Sequence, residues 1–329
     1  MTDVLVRAPA ADAAPEDVTA QLKKLGGALD QVVPPKRPGN VLIGTWNVRA
    51  FDRVNPKWRS SAGDKPVRDR SNVAAIAEIV SRFDVVAIQE VRQSAAAFLA
   101  MLEALGRDWA FLVTDVTGGG AGNNERLAFV FDTRRVHPSG LACELVTAPA
   151  KDGVSTAKVF DQFARTPYAV SFARDATRFT LVTLHVLYGK KAADRLPELA
   201  EIADWLARWT ARRDVWGENL MALGDFNIDR KDDPLYEAFT STGLRPPDGL
   251  NFVPRTIFDD PDPKANPDHS HFYDQIAWFP EGRSRLSMPF VNAGTFDFAN
   301  TGLIPADSQI QLSWRISDHL PLWCEFNIS

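Results

Sequence analysis

The chain has 329 residues, of which 45% are hydrophobic and 24% charged, a composition that supplies a large core and excludes a disordered protein. Its formal net charge of -5 argues against attraction to polyanions by bulk charge, but does not exclude an enzyme that acts on them, because bound cations add charge that a residue count omits. Since the sequence has no signal peptide and no apolar run of about 18 residues, and its two cysteines are too few for a disulfide framework, we expect a cytoplasmic protein without a membrane partner.

The first 39 residues differ in composition from the remainder. They begin with an Ala/Pro/Asp-rich stretch, contain a possible short helix from Glu16 to Val33, and end in the breaker-rich segment Pro-Pro-Lys-Arg-Pro-Gly. We therefore expect residues 1–39 to form an N-terminal extension and linker, followed by a domain over residues 40–329.

From residue 40 onward, short apolar strands alternate with amphipathic helices. The predicted strands cover residues 41–48, 85–88, 127–131, 179–184, 220–223 and 320–326. Apolar residues at helical spacing predict core-facing helices over residues 73–83 and 196–209. Many strands with a few inserted helices favour the α/β class, as a four-layer α/β/β/α sandwich in which two packed mixed β-sheets are flanked by helices.

Polar and ionisable residues recur where the apolar strands begin or end. A lone strand-end Asn or Asp is usually a turn or a helix cap, and a lone His is usually structural. Here such residues recur along the whole domain. A carboxylate that is buried away from water needs an ion-pair or hydrogen-bond partner, or a bound cation. The set comprises Asn47, Glu90, Glu125, His185, Asp225, Asn227, Asp274, Asp318 and His319.

Four motifs in this order resemble the endonuclease/exonuclease/phosphatase superfamily over about residues 40–329. They are Thr-Trp-Asn-Val at 45–48, Gln-Glu-Val-Arg at 89–92, Gly-Asp-Phe-Asn at 224–227 and Ser-Asp-His at 317–319. Glu125-Arg126, Leu184-His185, Tyr273-Asp274 and a partial Arg-x-Pro element at Arg165 resemble the deoxyribonuclease I-like branch in particular. The resemblance implies that branch's sandwich fold and metal-dependent hydrolysis of phosphodiesters.

The resemblance also implies roles for the site residues. Asn47, Glu90 and Asp318 would bind Mg²⁺, with Mn²⁺ as an alternative, because hard cations prefer oxygen ligands. Asp274 would orient His319 toward the nucleophilic water, and Glu125 would orient His185 toward the leaving group or the developing oxyanion. Asp225 could instead position the water, Asn227 would bind a phosphate oxygen, and the general base stays undecided. Substrate contacts are expected from Arg49, Arg92 and Arg165.

Other features leave two interpretations open. The basic segment from Arg49 to Arg70, which includes Arg68, could contact phosphates or form a solvated loop of mixed charge. Trp58 and Trp314 could stack on a ligand, although core packing is the commoner use of tryptophan. His269 and His271 have the spacing of a metal-ligand pair, but a solvated loop is favoured there.

Three functions fit these motifs. The favoured one is a DNA endonuclease with no obligate protein partner. The second is a phosphatase or phosphodiesterase acting on an inositol phosphate, a lipid head group or a small nucleotide, since one fold can host many substrates. A catalytically inactive binding module is the least favoured, because the candidate site residues are all present.

Overall fold

The computed structural model describes residues 13–61, 63–145, 163–212, 215–282 and 285–328. The first twelve residues of the expected extension lie outside this description. Within the described part of the chain, no helix is both long and apolar enough to cross a lipid bilayer.

One sheet has six strands and the other has five. The first contains β1 (Asn40–Phe51), β2 (Val85–Arg92), β3 (Trp109–Val113), β4 (Glu125–Asp132), β10 (Phe290–Thr295) and β11 (Leu322–Asn327) in the order β10-β11-β1-β2-β4-β3. The second contains β5 (His137–Glu144), β6 (Tyr168–Arg174), β7 (Thr177–His185), β8 (Leu220–Asp225) and β9 (Asp274–Trp278) in that order. Both sheets are mixed, because β1 runs parallel to β2 and β7 parallel to β8 while the other neighbours are antiparallel.

The described helices connect the strands and cover the outer faces of the sheets. They are α1 (Glu16–Val32), α2 (Arg70–Val80), α3 (Ala96–Leu105), α4 (Gly119–Gly122), α5 (Leu196–Ala211), α6 (Pro234–Thr240) and α7 (Gln309–Arg315). Helix α2 begins after Asp69, whose side chain accepts a hydrogen bond of 3.1 Å from the backbone N–H of Asn72. This cap satisfies a donor that the first turn of a helix leaves free.

The apolar side chains form three layers of core. Strand β1 contributes to two of these layers, since successive side chains of a strand point to opposite faces of its sheet. Val41 and Ile43 pack between the two sheets, whereas Leu42 and Trp46 pack under α1, α2 and α3. A third cluster lies between the second sheet and helices α5 and α6. The predicted four-layer α/β/β/α sandwich is therefore confirmed.

The predicted helix from Glu16 to Val33 is present as α1, and it packs against the sandwich. Its residues Leu25 and Leu29 are fully buried in the cluster that also contains Ile76 and Val80 of α2. Arg59, from the basic segment, donates to Asp17 and Gln21 of α1 over 2.9 and 2.7 Å. This part of residues 1–39 thus contributes side chains to the domain core.

The six predicted strands correspond to β1, β2, β4, β7, β8 and β11, and the two predicted helices to α2 and α5. The predicted ranges include none for β3, β5, β6, β9 or β10. Strands β3, β5 and β10 are edge strands of their sheets, and their exposed positions break the apolar runs that identify central strands. Strands β6 and β9 are buried along their whole length, so exposure does not explain why they have no predicted range.

We expect the Leu29→Ala substitution to lower the free energy of unfolding by about 2–4 kcal/mol, because it removes a fully buried side chain from the helix layer. Lys24→Ala, on the exposed side of the same helix, is the matched control and should change little. Chemical denaturation monitored by circular dichroism measures both. Equal stability of the two variants would contradict the packing of α1 described above.

Candidate active site

The two sheets bring the motif residues together at one end of the sandwich. Within the second sheet, Asp225 is the register partner of both His185 on β7 and Asp274 on β9. Within the first sheet, Asn47 on β1 is the partner of Gln89 on β2, next to Glu90. Residues from both sheets therefore face one cleft, although they are far apart in the sequence.

Gly224 makes the close approach of β7 and β8 possible. Its φ is +142°, and a Cβ atom at this position would lie 2.1 Å from the carbonyl oxygen of Leu184. No other residue fits without moving one of the two strands. The glycine of the Gly-Asp-Phe-Asn motif thus sets the distance between His185 and Asp225.

Five acidic and imidazole side chains alternate across the cleft. Nδ1 of His185 lies 3.1 Å from Oε2 of Glu125, and its Nε2 lies 3.4 Å from Oδ2 of Asp225. The same Asp225 oxygen lies 3.9 Å from Nε2 of His319, whose Nδ1 contacts Oδ2 of Asp274 at 2.7 Å. The contact between Glu125 and His185 is close but not aligned as a hydrogen bond, because Nδ1 has no aligned partner among the described residues.

Burial and mutual charge set the protonation of this row. Burial raises the pKa of Asp274 to about 6 although His319 opposes the shift. Burial alone would lower the pKa of His319, but the carboxylates of Asp274 and Asp225 raise it well above its usual value. Burial likewise favours the neutral form of Asp225, yet His319 and His185 lower its pKa. Asp225, His319 and Asp274 therefore favour a protonated imidazole between two carboxylates.

The carboxylate of Glu125 lies among His185, Arg165 and Arg92. Burial would raise its pKa, but the contact with His185 and the charges of Arg165 and Arg92 hold the pKa at about 2. Arg165 is buried, donates to Oε2 of Glu125, and lies 3.5 Å from the carbonyl oxygen of His185. Arg165 was expected to contact substrate, but in this arrangement its charge is paired inside the protein.

Arg92 lies closer to solvent and bridges two carboxylates. Its Nη2 is 3.1 Å from Oε1 of Glu125 and 3.6 Å from Oε2 of Glu90. Arg49, the third predicted substrate contact, lies 2.9 Å from Oδ2 of Asp318, and its guanidinium lies 4.0 Å from the centre of the Trp314 ring. Each predicted metal-binding carboxylate therefore has an arginine beside it.

The residues at this end of β1 and β2 fit a hard divalent cation. Nδ2 of Asn47 donates to Asp225 over 3.0 Å, while its Oδ1 is buried and has no hydrogen-bond partner in the described part of the chain. A buried oxygen without a donor is costly unless something else binds it. Glu90, half-buried beside it, offers a carboxylate, and carboxylate and amide oxygens are the ligands that Mg²⁺ accepts.

The backbone is strained at two predicted site residues. Glu90 and Asn227 have φ values of +61° and +51°, in the left-handed region that non-glycine residues rarely occupy. Asn227 was expected to bind a phosphate oxygen. Its Nδ2 donates to the carbonyl oxygen of Val186 over 2.7 Å, so the amide connects the loops that follow β7 and β8.

Sequence reasoning left Arg68 undecided between phosphate binding and a solvated loop, and the structure places it inside the protein. Its guanidinium is buried and donates to four carbonyl oxygens, those of Arg49, Ala50, Arg315 and Ile316, over 2.6–3.0 Å. Burial lowers its pKa to about 10, so it stays charged near neutral pH. No local pattern distinguishes Arg68 from its basic neighbours, because two of its four partners lie about 250 positions away in the chain.

One peptide group connects Arg68 to Glu90. The carbonyl oxygen of the Arg49–Ala50 peptide accepts from Arg68, and its N–H donates to Oε2 of Glu90 over 2.7 Å. Two of the other three carbonyl groups, those of Arg315 and Ile316, lie just before Ser317 and Asp318. Arg68 therefore holds the segment that donates to Glu90 and the segment that precedes Asp318.

Residues 44–319 match the model of the endonuclease/exonuclease/phosphatase family, and the chain belongs to this family. The family consists of phosphoester hydrolases that generally depend on a divalent metal. The predicted relationship is thereby confirmed, and so is the coarser prediction of phosphoester hydrolysis as the chemistry of the fold.

Two curated relatives match part of the chain. A deoxyribonuclease of Thioalkalivibrio sp. (strain K90mix) is 30% identical over 162 residues, which cover 47% of this chain and 41% of the relative. Deoxyribonuclease-1 of Bos taurus is 28% identical over 196 residues, covering 57% of this chain and 60% of the relative. The matches thus span less than two thirds of either relative.

Solved structures share the fold at low identity. Human nocturnin's catalytic domain has a TM-score of 0.55 at 16% identity, covering 90% of this chain and 96% of that one. D. rerio TDP2 in complex with a single-strand DNA product has a TM-score of 0.55 at 15% identity, covering 88% and 99%. A mannosyl-6-phosphatase of Bacteroides thetaiotaomicron also has a TM-score of 0.55 at 15% identity, covering 87% and 99%.

We expect Arg68→Met to weaken the binding of Mn²⁺ by roughly 10- to 100-fold, the usual effect of removing a group that orients a metal ligand. Arg53→Met is the matched control, because Arg53 lies in the same basic segment with a side chain 77% exposed. Isothermal titration calorimetry measures the affinity without relying on turnover. Unchanged Mn²⁺ affinity in a folded Arg68→Met variant would show that Arg68 does not support the cation site.

Proposed function

We propose that this protein is a divalent-metal-dependent phosphodiester hydrolase that cleaves DNA internally. The observation that carries the proposal is the row Glu125–His185–Asp225–His319–Asp274, which stands beside the partnerless oxygen of Asn47. The imidazole and carboxylate groups of the row can transfer protons, and the neighbouring carboxylate and amide oxygens can hold a cation. Phosphodiester hydrolysis requires both. DNA is favoured as substrate because both curated relatives are named deoxyribonucleases.

Asn47, Glu90 and Asp318 are the residues that would hold the cation, Mg²⁺ or Mn²⁺. When bound, it would neutralise charge on the phosphoryl oxygens. Arg49 and Arg92 each lie beside one of these carboxylates and are about a quarter exposed in their side chains. A cation bound to these carboxylates would neutralise them, and both arginines would then be available to bind phosphates.

Asp225 and His319 are assigned to the attacking side. Two carboxylates flank the His319 ring, which favours the protonated form, a charged donor toward a phosphoryl oxygen. Asp225 stays ionised and accepts a hydrogen bond from Asn47, so its carboxylate is the group that would orient the water. Asp274 positions His319 by fixing its Nδ1.

His185 and Glu125 are assigned to the leaving side. Glu125 lies against Nδ1 of His185 and stabilises the charged ring when it forms. Arg165 acts on this pair as a positioning residue, since its guanidinium contacts both Glu125 and the His185 backbone. Asn227 is also a positioning residue, because its hydrogen bond connects the loop after His185 to the loop after Asp225.

We expect the protein to nick supercoiled plasmid DNA in the presence of Mg²⁺ or Mn²⁺ and to lose this activity in excess chelator. His319→Ala and His185→Ala should each lower the nicking rate by roughly 10²-fold or more, a typical loss for a group that transfers a proton. Gel electrophoresis of plasmid forms, with circular dichroism to verify folding, measures both effects.

His137→Ala is the matched control, because His137 is an exposed histidine on strand β5 of the second sheet. Its nicking rate should equal that of the wild type. Full activity in excess chelator would refute the metal dependence. Hydrolysis of inositol phosphates, lipid head groups or small nucleotides without any nicking would replace the endonuclease proposal by the phosphatase or phosphodiesterase alternative.

A further inference from the structure

A cavity of about 230 Å³ opens beside the cleft, and the residues assigned to catalysis do not line it. Its walls come from the loop after β8, from residues 251–253 and from residues 263–272, directly before β9. Aromatic rings connect it to the active site. His271, in the cavity wall, stacks on Tyr273 with ring centres 4.5 Å apart, and Tyr273 lies 5.9 Å from the His319 ring.

The cavity wall presents flat apolar surface. Phe252 lines it with 54% of the residue exposed, and Phe272 and His271 lie nearby. The His271 ring is fixed, because its Nδ1 contacts the buried Asp259 carboxylate at 2.6 Å. A large apolar ring left in solvent next to an active site is suited to stack on a planar group of the ligand.

Asn251, a residue of the cavity wall, has a hydrogen-bond acceptor that lacks a donor. Nδ2 of Asn251 donates to Asp248 over 3.2 Å, which fixes the carboxamide, while its Oδ1 is buried and has no partner among the described residues. An unpaired acceptor costs free energy that an N–H group of a ligand would recover. The structure therefore favours a planar ligand whose edge carries an N–H donor.

Two cationic side chains complete the wall. Arg230 donates to the carbonyl oxygens of Asp268 and Ser270, and Lys231 lies 2.8 Å from the exposed carboxylate of Asp232. The backbone contacts of Arg230 hold its guanidinium in place without neutralising its charge. An anionic group of the ligand would be attracted to this side of the cavity.

We propose that this cavity is a subsite for one nucleotide of the substrate, with its base unpaired. A nucleotide offers an aromatic face to Phe252, an N–H donor edge to Asn251 and a phosphate to Arg230. In a duplex the N–H groups of the base edge are paired and both faces are stacked, so only a single-stranded or frayed nucleotide can present them. The inference rests on the proposed function, and it specifies unpaired DNA as the preferred substrate.

The test compares two ligands that differ only in the base. Thymidine 5′-monophosphate and 2-deoxyribose 5-phosphate are titrated into the full-length protein with Mg²⁺, and calorimetry measures each Kd. We expect the nucleotide to bind at least roughly tenfold more tightly, within the range of base stacking on an aromatic side chain. Thymidine 3′-monophosphate, as a third ligand, identifies which side of the scissile phosphate occupies the cavity.

Phe252→Ala and Asn251→Ala should each remove most of the advantage of the nucleotide and leave the affinity for 2-deoxyribose 5-phosphate unchanged. Phe290→Ala is the matched control, because Phe290 is a 39% exposed phenylalanine on β10 and does not line the cavity. Equal affinities of the wild type for the nucleotides and the sugar phosphate would overturn the subsite, as would wild-type nucleotide affinity in both cavity variants. These measurements need no turnover, so failure of the nuclease proposal would be seen separately, as absence of plasmid nicking.

Discussion

The alternation of carboxylate and imidazole groups from Glu125 to Asp274 is the constraint on which the site depends. Isolated, each of these buried charges would be costly, because burial removes the water that stabilises it. In the row each carboxylate lies beside at least one imidazole ring, at N–O distances of 2.7–3.9 Å. The two ends of the row lie in different sheets, since Glu125 is on β4 and Asp274 on β9. The packing of the two sheets and the protonation of the site are therefore coupled.

Buried arginines hold the surrounding backbone in position. Arg68 donates to four carbonyl oxygens, two near the end of β1 and two at the end of α7, next to Glu90 and Asp318. Arg255, fully buried, donates to the carbonyl oxygen of Asp274 over 2.8 Å. Planar guanidinium groups suit this task, because one side chain can satisfy several carbonyl groups at fixed angles. The same residue type thus has two uses here: Arg68 and Arg255 organise loops inside the protein, whereas Arg49 and Arg92 reach the solvent-facing part of the cleft.

The sequence predicts the central strands and the motif residues because both depend on local pattern. In β1, β2, β7 and β8 most positions are buried, so a nearly continuous apolar run ends in a polar side chain. The sequence does not predict the features that depend on contacts between segments far apart in the chain. The burial of Arg68 requires carbonyl groups nearly 250 positions away, and the pairing of Arg165 with Glu125 requires β4 to lie beside the segment that precedes β6. His271 is ordered by Asp259, a residue outside every motif, so its spacing from His269 carried no information about its role.

Two groups of described side chains could hold a metal ion by distance alone: Glu90 with Glu125 and His185, and Asp225 with Asp274 and His319. We assign the cation to Glu90, Asn47 and Asp318 and leave both histidines free of it, as groups that transfer protons. The most direct test is the anomalous difference map of a crystal grown with Mn²⁺. We predict one strong peak at about 2.0–2.2 Å from a Glu90 oxygen and the Asn47 amide oxygen, the distance typical of small hard divalent cations. A peak on Asp225, Asp274 and His319, without density at Glu90, would contradict this assignment.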